Sequence, residues 1–457
     1  MNKCIFEYEK NDTGVMLKKF LSGGEEVEIP ATAVDAGELT GLPVTAIGAE
    51  CFKENGMMIY KIIVPESVKV LEHDAFAYCV SLQELILPET IETMGADYLI
   101  ASGLEEAYIP ASVKVIERPE LIDRSFRVSE DNPVFFSDGY GLYKRGTEGI
   151  VLVAVNASDT RKSYTLNPDT DEIAYPALRD ASALEELVIP QHLHTIPEGA
   201  LTFSGGTAGD SDGIRRISIN PDNDKFILKY GCICECLGDD KLKILRFLGG
   251  EDAEILWDVS IIGEQAFRNR EIKDLLIFDT VEKIGREAFS WCPVKKCVIR
   301  SYHEGGDENV KKEVDDTTVF FGDEDKYNME KLLEGFGKNG KVYDFAVFDD
   351  FLEKEYVTLP RVEMILTRLL NPLDLDTESR SALENRIRDN IDDILELSAI
   401  EHNAGVIKDM GELGFFTEDN IDRSIDKMTD LGEKETTAWL MSYKNSHLKC
   451  GDDWCLL

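Results

Sequence analysis

The sequence predicts an α/β solenoid built on a parallel β-sheet, followed by an all-α domain of stacked helices. Three observations carry this prediction. A unit of about 22 residues recurs over the first two-thirds of the chain, each unit holds a short strand pattern that ends in proline, and the apolar spacing becomes helical near the C-terminus. A unit of that length has too little apolar surface to fold alone, so its copies are expected to stack.

Composition limits the classes of function. The chain has 457 residues, with 88 Asp and Glu against 49 Lys and Arg and a formal net charge of −39. So acidic a surface repels phosphate backbones and anionic lipid, and we therefore expect neither nucleic acid nor a membrane among its partners. The N-terminus has no long apolar stretch, no run approaches about 18 apolar residues, and the cysteines are too sparse for a disulfide scaffold. These features predict a cytoplasmic location and reduced thiols.

The repeat is recognised by an apolar residue followed by proline. This pair recurs at Val64-Pro65, Leu87-Pro88 and Ile109-Pro110, so the spacing between prolines 65, 88 and 110 is 23 and then 22 residues. The same frame occurs upstream at residues 44–52 and downstream at residues 261–267 and 281–292. We therefore predict a repeat array over residues 44–300, with residues 1–43 as an N-terminal cap and first coil.

Within one unit the residues predict a strand, a turn and a core. Leu82, Leu85 and Leu87 follow a strand period and are predicted to point inward, while Glu84 and Ile86 point outward. The following proline cannot donate to a ladder and closes the strand. An Ile-Gly step is predicted to turn the chain, and an Ala-Phe pair supplies one small and one large core residue to each coil.

Two longer segments interrupt the period and resemble each other. Residues 130–135 and 221–226 both contain Asp-Asn followed three residues later by Phe, at an offset of 91 between positions 132 and 223. Alternating apolar residues follow each of them. We predict β-hairpins inserted between coils near residues 128–160 and 219–250.

The pattern Pro-x-Ser-Val-x-x-Ile-Gly-x-x-Ala-Phe-x-x-Cys-x-x-Leu resembles the BspA-like class of leucine-rich repeats over roughly residues 1–300. The opening, with Val27-Glu28-Ile29-Pro30 and residues 41–48, is similar to the way such arrays begin. The resemblance implies a bacterial leucine-rich-repeat protein that binds other proteins, often as a surface adhesin. By analogy with that family an extracellular location stays open.

From residue 301 the period is lost. Residues 301–340 are rich in glycine and acid and are predicted to form an exposed connection, and residues 341–457 are predicted to form the helical domain. Five apolar stripes indicate helices: Val362, Ile365, Leu366, Leu369 and Leu370; Ile387, Ile391, Ile394 and Leu395; Val406, Ile407, Met410 and Leu413; Ile421, Ile425 and Met428; Ala438, Trp439, Leu440 and Tyr443. Similar units start at residues 399 and 428, which resembles an ankyrin-type array, although no Thr-Pro-Leu-His motif is present.

The sequence contains no motif for catalysis or cofactor binding. Gly-x-Ser-x-Gly, Walker, His-Glu-x-x-His and Gly-x-Gly-x-x-Gly patterns are all absent, so we predict no catalytic residue, no cofactor and no metal. His192 and His194 have no acidic or Cys partner at ligand spacing and are predicted to be exposed turn residues. Residues 209–213 begin like a calcium loop but lack its third acid and closing Glu, which favours a turn.

The cysteines have core positions rather than ligand spacing. Six of them either alternate along one strand or lie near the Ala-Phe corner, where the repeat needs a small buried residue: Cys232, Cys234, Cys236, Cys51, Cys79 and Cys292. Cys450 and Cys455 flank a short acidic segment at the terminus. A frayed tail is favoured there over a redox pair.

The outward strand positions are the predicted binding surface. One position holds mostly apolar residues, namely Ile63, Ile86, Tyr108, Arg127, Val188, Leu276 and Val298, and the neighbouring position holds charges such as Lys61, Glu84 and Glu106. An apolar column fringed by charges of both signs is typical of a protein-binding surface. The same column could also be explained by β-branched residues that stack only to stabilise the sheet.

We therefore predict a non-enzymatic interaction module or scaffold that binds a protein partner through the exposed face of the repeat sheet. Two alternatives stay open. One is a surface or secreted adhesin-like protein exported by another route, and the other is a hydrolase that acts on a polymer in the concave groove. Buried carboxylates clustered in one pocket would favour the hydrolase, and a smooth apolar strip would favour the scaffold.

Overall fold

The computed structural model describes residues 4–202, 214–250, 252–255, 257–270, 272–278, 280–290, 292, 294–300, 316–320, 345–354, 357–370, 372 and 375–448. The chain folds as two compact units, residues 1–228 and 229–457. The predicted calcium-like turn at 209–213, the terminal cysteines 450 and 455, and all of the predicted connection except residues 316–320 lie outside the described residues.

The first unit is made of short strands. They are β1 (Ile5–Asn11), β2 (Gly14–Ser22), β3 (Glu26–Glu28), β4 (Val44–Ile47), β5 (Lys61–Ile63), β6 (Val70–Leu71), β7 (Glu84–Ile86), β8 (Thr93–Met94), β9 (Glu106–Ile109), β10 (Val115–Ile116), β11 (Ser125–Val128), β12 (Phe135–Ser137), β13 (Gly141–Arg145), β14 (Ile150–Val155), β15 (Ser163–Thr165), β16 (Thr170–Ile173), β17 (Glu186–Ile189) and β18 (Arg216–Ile219). Short 3-10 turns occur at Gly37–Leu39 and Pro119–Leu121. Because the described part of this unit has no α-helix, the predicted α/β class is corrected here to a repeat of β-strands.

The second unit combines strands with helices. After β19 (Phe226–Lys229) at the boundary come β20 (Cys232–Gly238), β21 (Lys241–Phe247), β22 (Asp252–Ile255), β23 (Val259–Ile262), β24 (Ile272–Phe278), β25 (Lys283–Ile284), β26 (Val294–Arg300) and β27 (Asp316–Phe320). The helices are α1 (Phe345–Lys354), α2 (Leu359–Leu370), α3 (Thr377–Asp389), α4 (Ile391–Ile400), α5 (Ala404–Glu412), α6 (Ile421–Asp430) and α7 (Lys434–Tyr443), followed by a π-helical turn at Lys444–Leu448. β27 pairs antiparallel with β26, so part of the predicted connection is a strand.

Each early repeat contributes two strands rather than the single one predicted. The first set, β3, β5 and β7, pairs in parallel, and the second set continues in parallel from β4 through β6 and β8 to β10. Inward residues of both sets are buried, as Ile62 and Leu71 show. Leu82 and Leu87 are also buried as predicted, whereas Leu85 is only partly buried. The core therefore lies between the two sets of strands.

The glycine of the Ile-Gly step lets successive coils approach each other. The Gly95 N–H donates to the Leu71 carbonyl at 2.8 Å, and a Cβ on Gly95 would lie 2.4 Å from the backbone of Glu72 and His73. The left-handed turn lies instead two residues before the repeat phenylalanine, as at Asp74 with φ of 54°. The prediction that glycine turns the chain is therefore corrected: its role is close packing.

The Ala-Phe pair builds the core as predicted. Ala75 and Phe76 are completely buried. Phenylalanines of successive coils stack on one another, with ring centroids 5.2 and 5.4 Å apart along Phe20, Phe52 and Phe76 and 5.2 and 4.7 Å apart along Phe247, Phe267 and Phe289. Offset stacks of this kind stabilise neighbouring coils beyond the burial of their area.

Three antiparallel segments, rather than the two predicted, each start a parallel ladder. β1 pairs with β2, β13 with β14, and β20 with β21, and the last strand of each pair then joins β4, β16 or β23 in parallel. Each junction has a one-residue register shift, between Val15 and Met16, Ile150 and Val151, or Leu242 and Lys243. The last strand of each hairpin is therefore also the first strand of the ladder that follows. The first hairpin occupies the predicted N-terminal cap.

The predicted stripes lie on helices, with three differences. The stripe at residues 387–395 is divided at Asn390 between α3 and α4, Leu413 is the C-cap residue just after α5, and Ala438 is exposed. Helices α4 and α6 begin 30 residues apart, at 391 and 421, and α5 and α7 also begin 30 residues apart, at 404 and 434. Among the described residues no helix is both long and apolar enough to cross a bilayer.

Candidate partner-binding face

The outward residues of the repeat strands lie beside one another in successive strands. β5 and β7 place Lys61 opposite Glu84 and Ile63 opposite Ile86, with the buried Ile62 between them on the inner face. The same two positions align in three further sheets: Glu106 with Ser125 and Tyr108 with Arg127, Glu186 with Arg216 and Val188 with Ser218, and Asp274 with Lys296 and Leu276 with Val298. The nine predicted residues whose side chains the structure describes therefore occupy outward strand positions, and Val298 holds the corresponding register position in β26.

Their exposure differs from one residue to the next. Ile86, Glu84, Glu106 and Arg127 are exposed. The remaining described side chains are half-buried, namely those of Ile63, Tyr108, Val188, Leu276 and Lys61. The backbone of Val298 lies in β26, but its side chain is outside the described part of the structure.

The expected apolar column is interrupted by polar neighbours. On the strand that comes before in each sheet, Glu28 lies opposite Ile63, Thr165 opposite Val188, and Glu254 opposite Leu276. The longest described apolar contact in register is therefore the pair of Ile63 and Ile86. Within each unit the outward positions thus form small apolar patches separated by polar residues, a mixture that is usual in non-obligate protein interfaces.

Charged neighbours pair across the strands. The Lys61 ammonium lies 2.7 Å from a Glu84 carboxylate oxygen, and this hydrogen bond raises the pKa of Lys61. The Arg127 Nε donates to Glu106 at 2.5 Å. Since these side chains are exposed, each pair contributes little to stability, and it mainly fixes where charge lies on the face.

Tyr108 belongs to a polar cluster rather than to an apolar strip. The Arg127 guanidinium lies 4.1 Å from the centre of the Tyr108 ring, and the Tyr108 hydroxyl donates to Glu89. Glu89 also accepts a hydrogen bond from the Ala111 N–H at 2.6 Å. Burial, followed by the bond to Glu89, raises the pKa of Tyr108, so the phenol stays neutral at physiological pH. The cluster offers a partner a fixed guanidinium and a fixed carboxylate.

Two cavities open on this face. The first has a volume of about 700 Å³, and the outward side chains of Lys61 and Ile63 meet the hairpin residues Phe6 and Tyr8 in its wall. Sequence reasoning missed the hairpin residues, although the alternation of residues 5–9 is the signal of a strand. The second has a volume of about 630 Å³ and lies between β7 and β9. Its lining includes four of the predicted residues: Glu84, Glu106, Tyr108 and Arg127.

The cysteines occupy core positions, as predicted, apart from one. Cys51, Cys79, Cys232, Cys234 and Cys292 are buried free thiols, and Cys236 is half-buried. Burial raises the pKa of Cys79, Cys234 and Cys292 to about 12. Thiols of this kind stay protonated at neutral pH and are poor nucleophiles and poor metal ligands.

The remaining chemical candidates are surface turns. His192 and His194 are both exposed, and a ring nitrogen of His194 lies 2.9 Å from the His192 carbonyl oxygen. In the part of the chain that the structure describes, no three or more His, Cys, Asp or Glu side chains are grouped as a metal site.

The repeats match a known family. Residues 41–121 and 251–308 match the BspA type leucine rich repeat region, in six copies. The chain therefore carries leucine-rich repeats of the BspA type. A search of the curated proteins found no match.

Solved structures similar to this chain include three bacterial proteins. A leucine rich cell surface protein from Faecalibacterium prausnitzii is 15% identical, with 66% of this chain and 96% of that chain covered and a TM-score of 0.29. A leucine-rich repeat protein from Bacteroides ovatus is 16% identical, with 64% and 80% covered and a TM-score of 0.32. The pneumococcal vaccine antigen PcpA is 17% identical, with 64% and 68% covered and a TM-score of 0.32.

Proposed function

We propose that the protein is a non-enzymatic interaction module whose outward strand face binds a protein partner. One observation carries the proposal. Residues that are more than 20 positions apart in sequence lie in register on one face, and they combine a partly exposed apolar pair, Ile63 and Ile86, with flanking charges. Ile86 is 40% exposed, so its side chain is accessible to a partner.

Three further parts of the proposal have their own support. Parallel pairing of successive repeats supports a solenoid, which presents an extended binding surface. The 30-residue offset between the starts of the helix pairs α4–α5 and α6–α7 supports stacked, ankyrin-type helices. Buried free thiols support a reducing compartment, and with it a cytoplasmic scaffold.

The test compares charge substitutions on two different sheets. Ile63→Asp and Ile86→Asp change the proposed face. Val115→Asp is the matched control, because Val115 lies in β10 of the other strand set and is 49% exposed. We expect the two isoleucine variants to lose a partner captured from the native cell's lysate and identified by mass spectrometry, and the valine variant to retain it.

Stability separates loss of binding from loss of fold. Outward strand residues lose only same-face contacts, roughly 0.2–1 kcal/mol each, so thermal unfolding of all three variants should stay near that of the parent. Leu82→Ala marks the opposite case, since it opens a core cavity and should cost about 2–5 kcal/mol. Isoleucine variants that melt normally and keep every partner would show that the face is structural.

A further inference from the structure

We propose that the opening between β7 and β9, named here the strand gap, accepts an extended basic segment of the partner as an added β-strand. This inference rests on the proposed function, because it specifies the segment that the outward face takes. The strand gap is bounded by β7 (Glu84–Ile86) and β9 (Glu106–Ile109). Strand addition uses main-chain hydrogen bonds for affinity and alternate side chains for specificity.

The ladder of repeat strands is interrupted at this point. Several other repeat strands open with N–H groups that donate to the preceding repeat, as Gln83 and Glu84 donate to the Tyr60 carbonyl at 2.9 and 3.2 Å. The corresponding bonds from residues 105 and 106 to Gln83 are not formed, and in the described structure β7 and β9 belong to different sheets. The coils remain joined beside the opening, where the Gly103 N–H donates to the Cys79 carbonyl at 3.1 Å.

Both edges of the strand gap present unpaired main-chain groups. In a parallel strand, alternate residues direct their N–H and C=O groups to opposite neighbours. The main-chain groups of Glu84 and Ile86 bond to the β5 side. The N–H and C=O groups of Leu85 therefore point into the strand gap. The main chain of Ile109 bonds to the β11 side. The N–H and C=O groups of Glu106 and Tyr108 therefore point into the strand gap from its other edge. Donors and acceptors are thus available to an incoming strand on both of its edges.

The floor of the gap contains a polar group without a partner. Tyr98 lines the 630 Å³ cavity and is fully buried, yet its hydroxyl forms no hydrogen bond in the described structure. The equivalent residues of the two preceding repeats are Cys51 and Ala75, which fill the core without a hydroxyl. A buried hydroxyl that is left unpaired costs free energy, and an inserted main chain would supply the missing partner.

The charge around the gap selects a basic segment. Glu84, Glu105 and Glu106 are exposed and line the cavity, and their carboxylates lie on both of its sides. Of the cations paired with them, Lys61 lies on β5, away from the gap, whereas Arg127 also lines the cavity, so three carboxylates face one exposed guanidinium there and the charge stays negative. An inserted strand would therefore place its outward side chains between carboxylates and its inward side chains over Leu85. A segment of alternating basic and apolar residues would place its cations beside the carboxylates and its apolar side chains against Leu85.

The buried Arg124 side chain stabilises the segments on either side of the strand gap. Its guanidinium is buried and donates to the carbonyl oxygens of Leu99 at 3.2 Å and Leu104 at 2.7 Å and to the Ser102 hydroxyl at 2.9 Å. These bonds tie the segment that leads into β9 to the start of β11. The gap is therefore braced by the fold and does not depend on the exposed glutamates.

The test uses a fluorescein-labelled octapeptide of alternating lysine and valine as the probe, with the full-length protein. Fluorescence anisotropy measures binding, and amide hydrogen exchange measures protection of Leu85, Glu106 and Tyr108. We expect the peptide to bind and to protect these amides. A peptide with N-methylated valines, which lacks the main-chain donors along one of its two edges, and one with glutamate in place of lysine should both bind at least tenfold more weakly.

Two substitutions and one control assign the binding to the strand gap. Glu106→Gln should weaken peptide binding roughly fivefold through the lost charge, whereas Glu186→Gln, at the same repeat position of β17 between two paired strands, should leave it unchanged. Tyr98→Phe should weaken binding while it leaves the free protein as stable or more stable, because it removes the unpaired hydroxyl. If Tyr98 were only structural, its change to phenylalanine would not weaken peptide binding while the free protein stayed as stable or became more stable.

Three results would overturn the inference. Strong protection of the Leu85 and Glu106 amides in the free protein would show a closed ladder. Equal binding of the N-methylated peptide would indicate charge capture without strand addition, and equal binding of the glutamate peptide would exclude selection by the carboxylates. If the peptide fails to bind while the Ile86→Asp variant still loses its native partner, the strand gap proposal fails and the proposed function stands.

Discussion

Asn132 shows how a single buried side chain fixes a junction between repeats and hairpin. Its amide nitrogen donates to the carbonyls of Pro110 at 2.7 Å and Val113 at 3.2 Å, and its amide oxygen accepts from the N–H groups of Val134 and Phe135 at 2.8 and 2.7 Å. Asparagine suits this position because it carries donors and an acceptor on one short side chain. The recurrence of Asp-Asn in the sequence marks this junction.

Asn223 repeats the arrangement 91 residues later. Its amide nitrogen donates to the carbonyls of Pro190 and Leu193 at 3.0 and 2.8 Å, and its amide oxygen accepts from the N–H groups of Lys225 and Phe226, both at 3.0 Å. The segments around Asn132 and Asn223, which are similar in sequence and 91 residues apart, therefore share one hydrogen-bond pattern. The short motif specifies the path of the chain out of a repeat.

We expect Asn132→Ala to destabilise the protein by about 3 kcal/mol, since four main-chain groups lose their partner, three of these bonds are buried, and each buried group left unpaired costs roughly 1–3 kcal/mol before relaxation. Equilibrium urea unfolding measures the change. Asn132→Asp retains the two acceptor bonds but loses the donors and should fall between the parent and the alanine variant. A loss below about 1 kcal/mol for the alanine variant would mean that water replaces the amide at this site.

The buried thiols predict a dependence on alkaline pH. Burial raises the pKa of Cys79 from 9.0 to about 12, so between these values the unfolded chain has released its proton and the folded chain has not. Stability is full below pH 9 and falls as the pH rises, by about 1.4 kcal/mol per pH unit for one such thiol. Urea unfolding of the parent and of Cys79→Ala at pH 8, 9.5 and 10.5 isolates this contribution. If the free energy of unfolding fell equally with pH in the two proteins, Cys79 would make no such contribution.

At the scale of elements, helices α1 and α2 are joined by a buried ion pair. Arg368 donates from Nε and Nη2 to the two Asp349 carboxylate oxygens at 2.7 and 3.0 Å, and both side chains are almost completely buried. The Arg368 guanidinium also lies 4.5 Å from the centre of the Phe345 ring. Removal of one partner leaves a buried charge without compensation, which is far more costly than loss of a surface pair.

We expect Asp349→Ala to cost about 3–5 kcal/mol of the stability of the helical part. Asp350→Ala is the matched control, because the neighbouring Asp350 pairs with Lys354 on the exposed face of the same helix. That change should cost less than about 0.5 kcal/mol. Thermal unfolding followed by circular dichroism at the helical band compares them, and equal losses would mean that burial of Asp349 does not matter.

The repeat elements could be predicted from sequence because each is a local pattern. The proline that ends a strand and the buried phenylalanine recur at fixed spacing, so the in-register alignment of residues such as Ile63 and Ile86 follows from the period. The second strand of each repeat was missed because it is only two residues long, as at Val70–Leu71, too short to show alternation. The N-terminal hairpin was not predicted because residues 5–22 lack the Asp-Asn pair that marks the two later segments.

The candidate site could be predicted only as a list of outward positions. The stacking of Arg127 on Tyr108 and the bond from Tyr108 to Glu89 depend on side-chain reach between repeats, which the spacing does not encode. The strand gap was equally hidden. Residues 84 and 106 occupy the same repeat position, and nothing in their identity distinguishes this step from its paired neighbours; the separation depends on tertiary contacts such as those of Arg124.

For the whole molecule, two divisions of the chain make different predictions. The change from repeat to helical spacing places a proposed connection at residues 301–340, whereas the compact units divide between Leu228 and Lys229. We expect limited trypsin digestion to cut first within residues 301–340, which are rich in glycine and charge, and to leave a repeat fragment and a helical fragment. Mass spectrometry of the first products distinguishes the two, since an initial cut near Lys229 would favour the other division.

The three hairpins also bear on how the chain reaches its native state. A parallel ladder between repeats needs a loop of some 20 residues to close before any strand contact forms, and such closure is entropically unfavourable. An antiparallel hairpin needs only its own short turn, as between Asn11 and Gly14, and forms within about 1–10 μs. We therefore expect each hairpin to supply an edge to which the next repeat adds, and folding to start at these three hairpins.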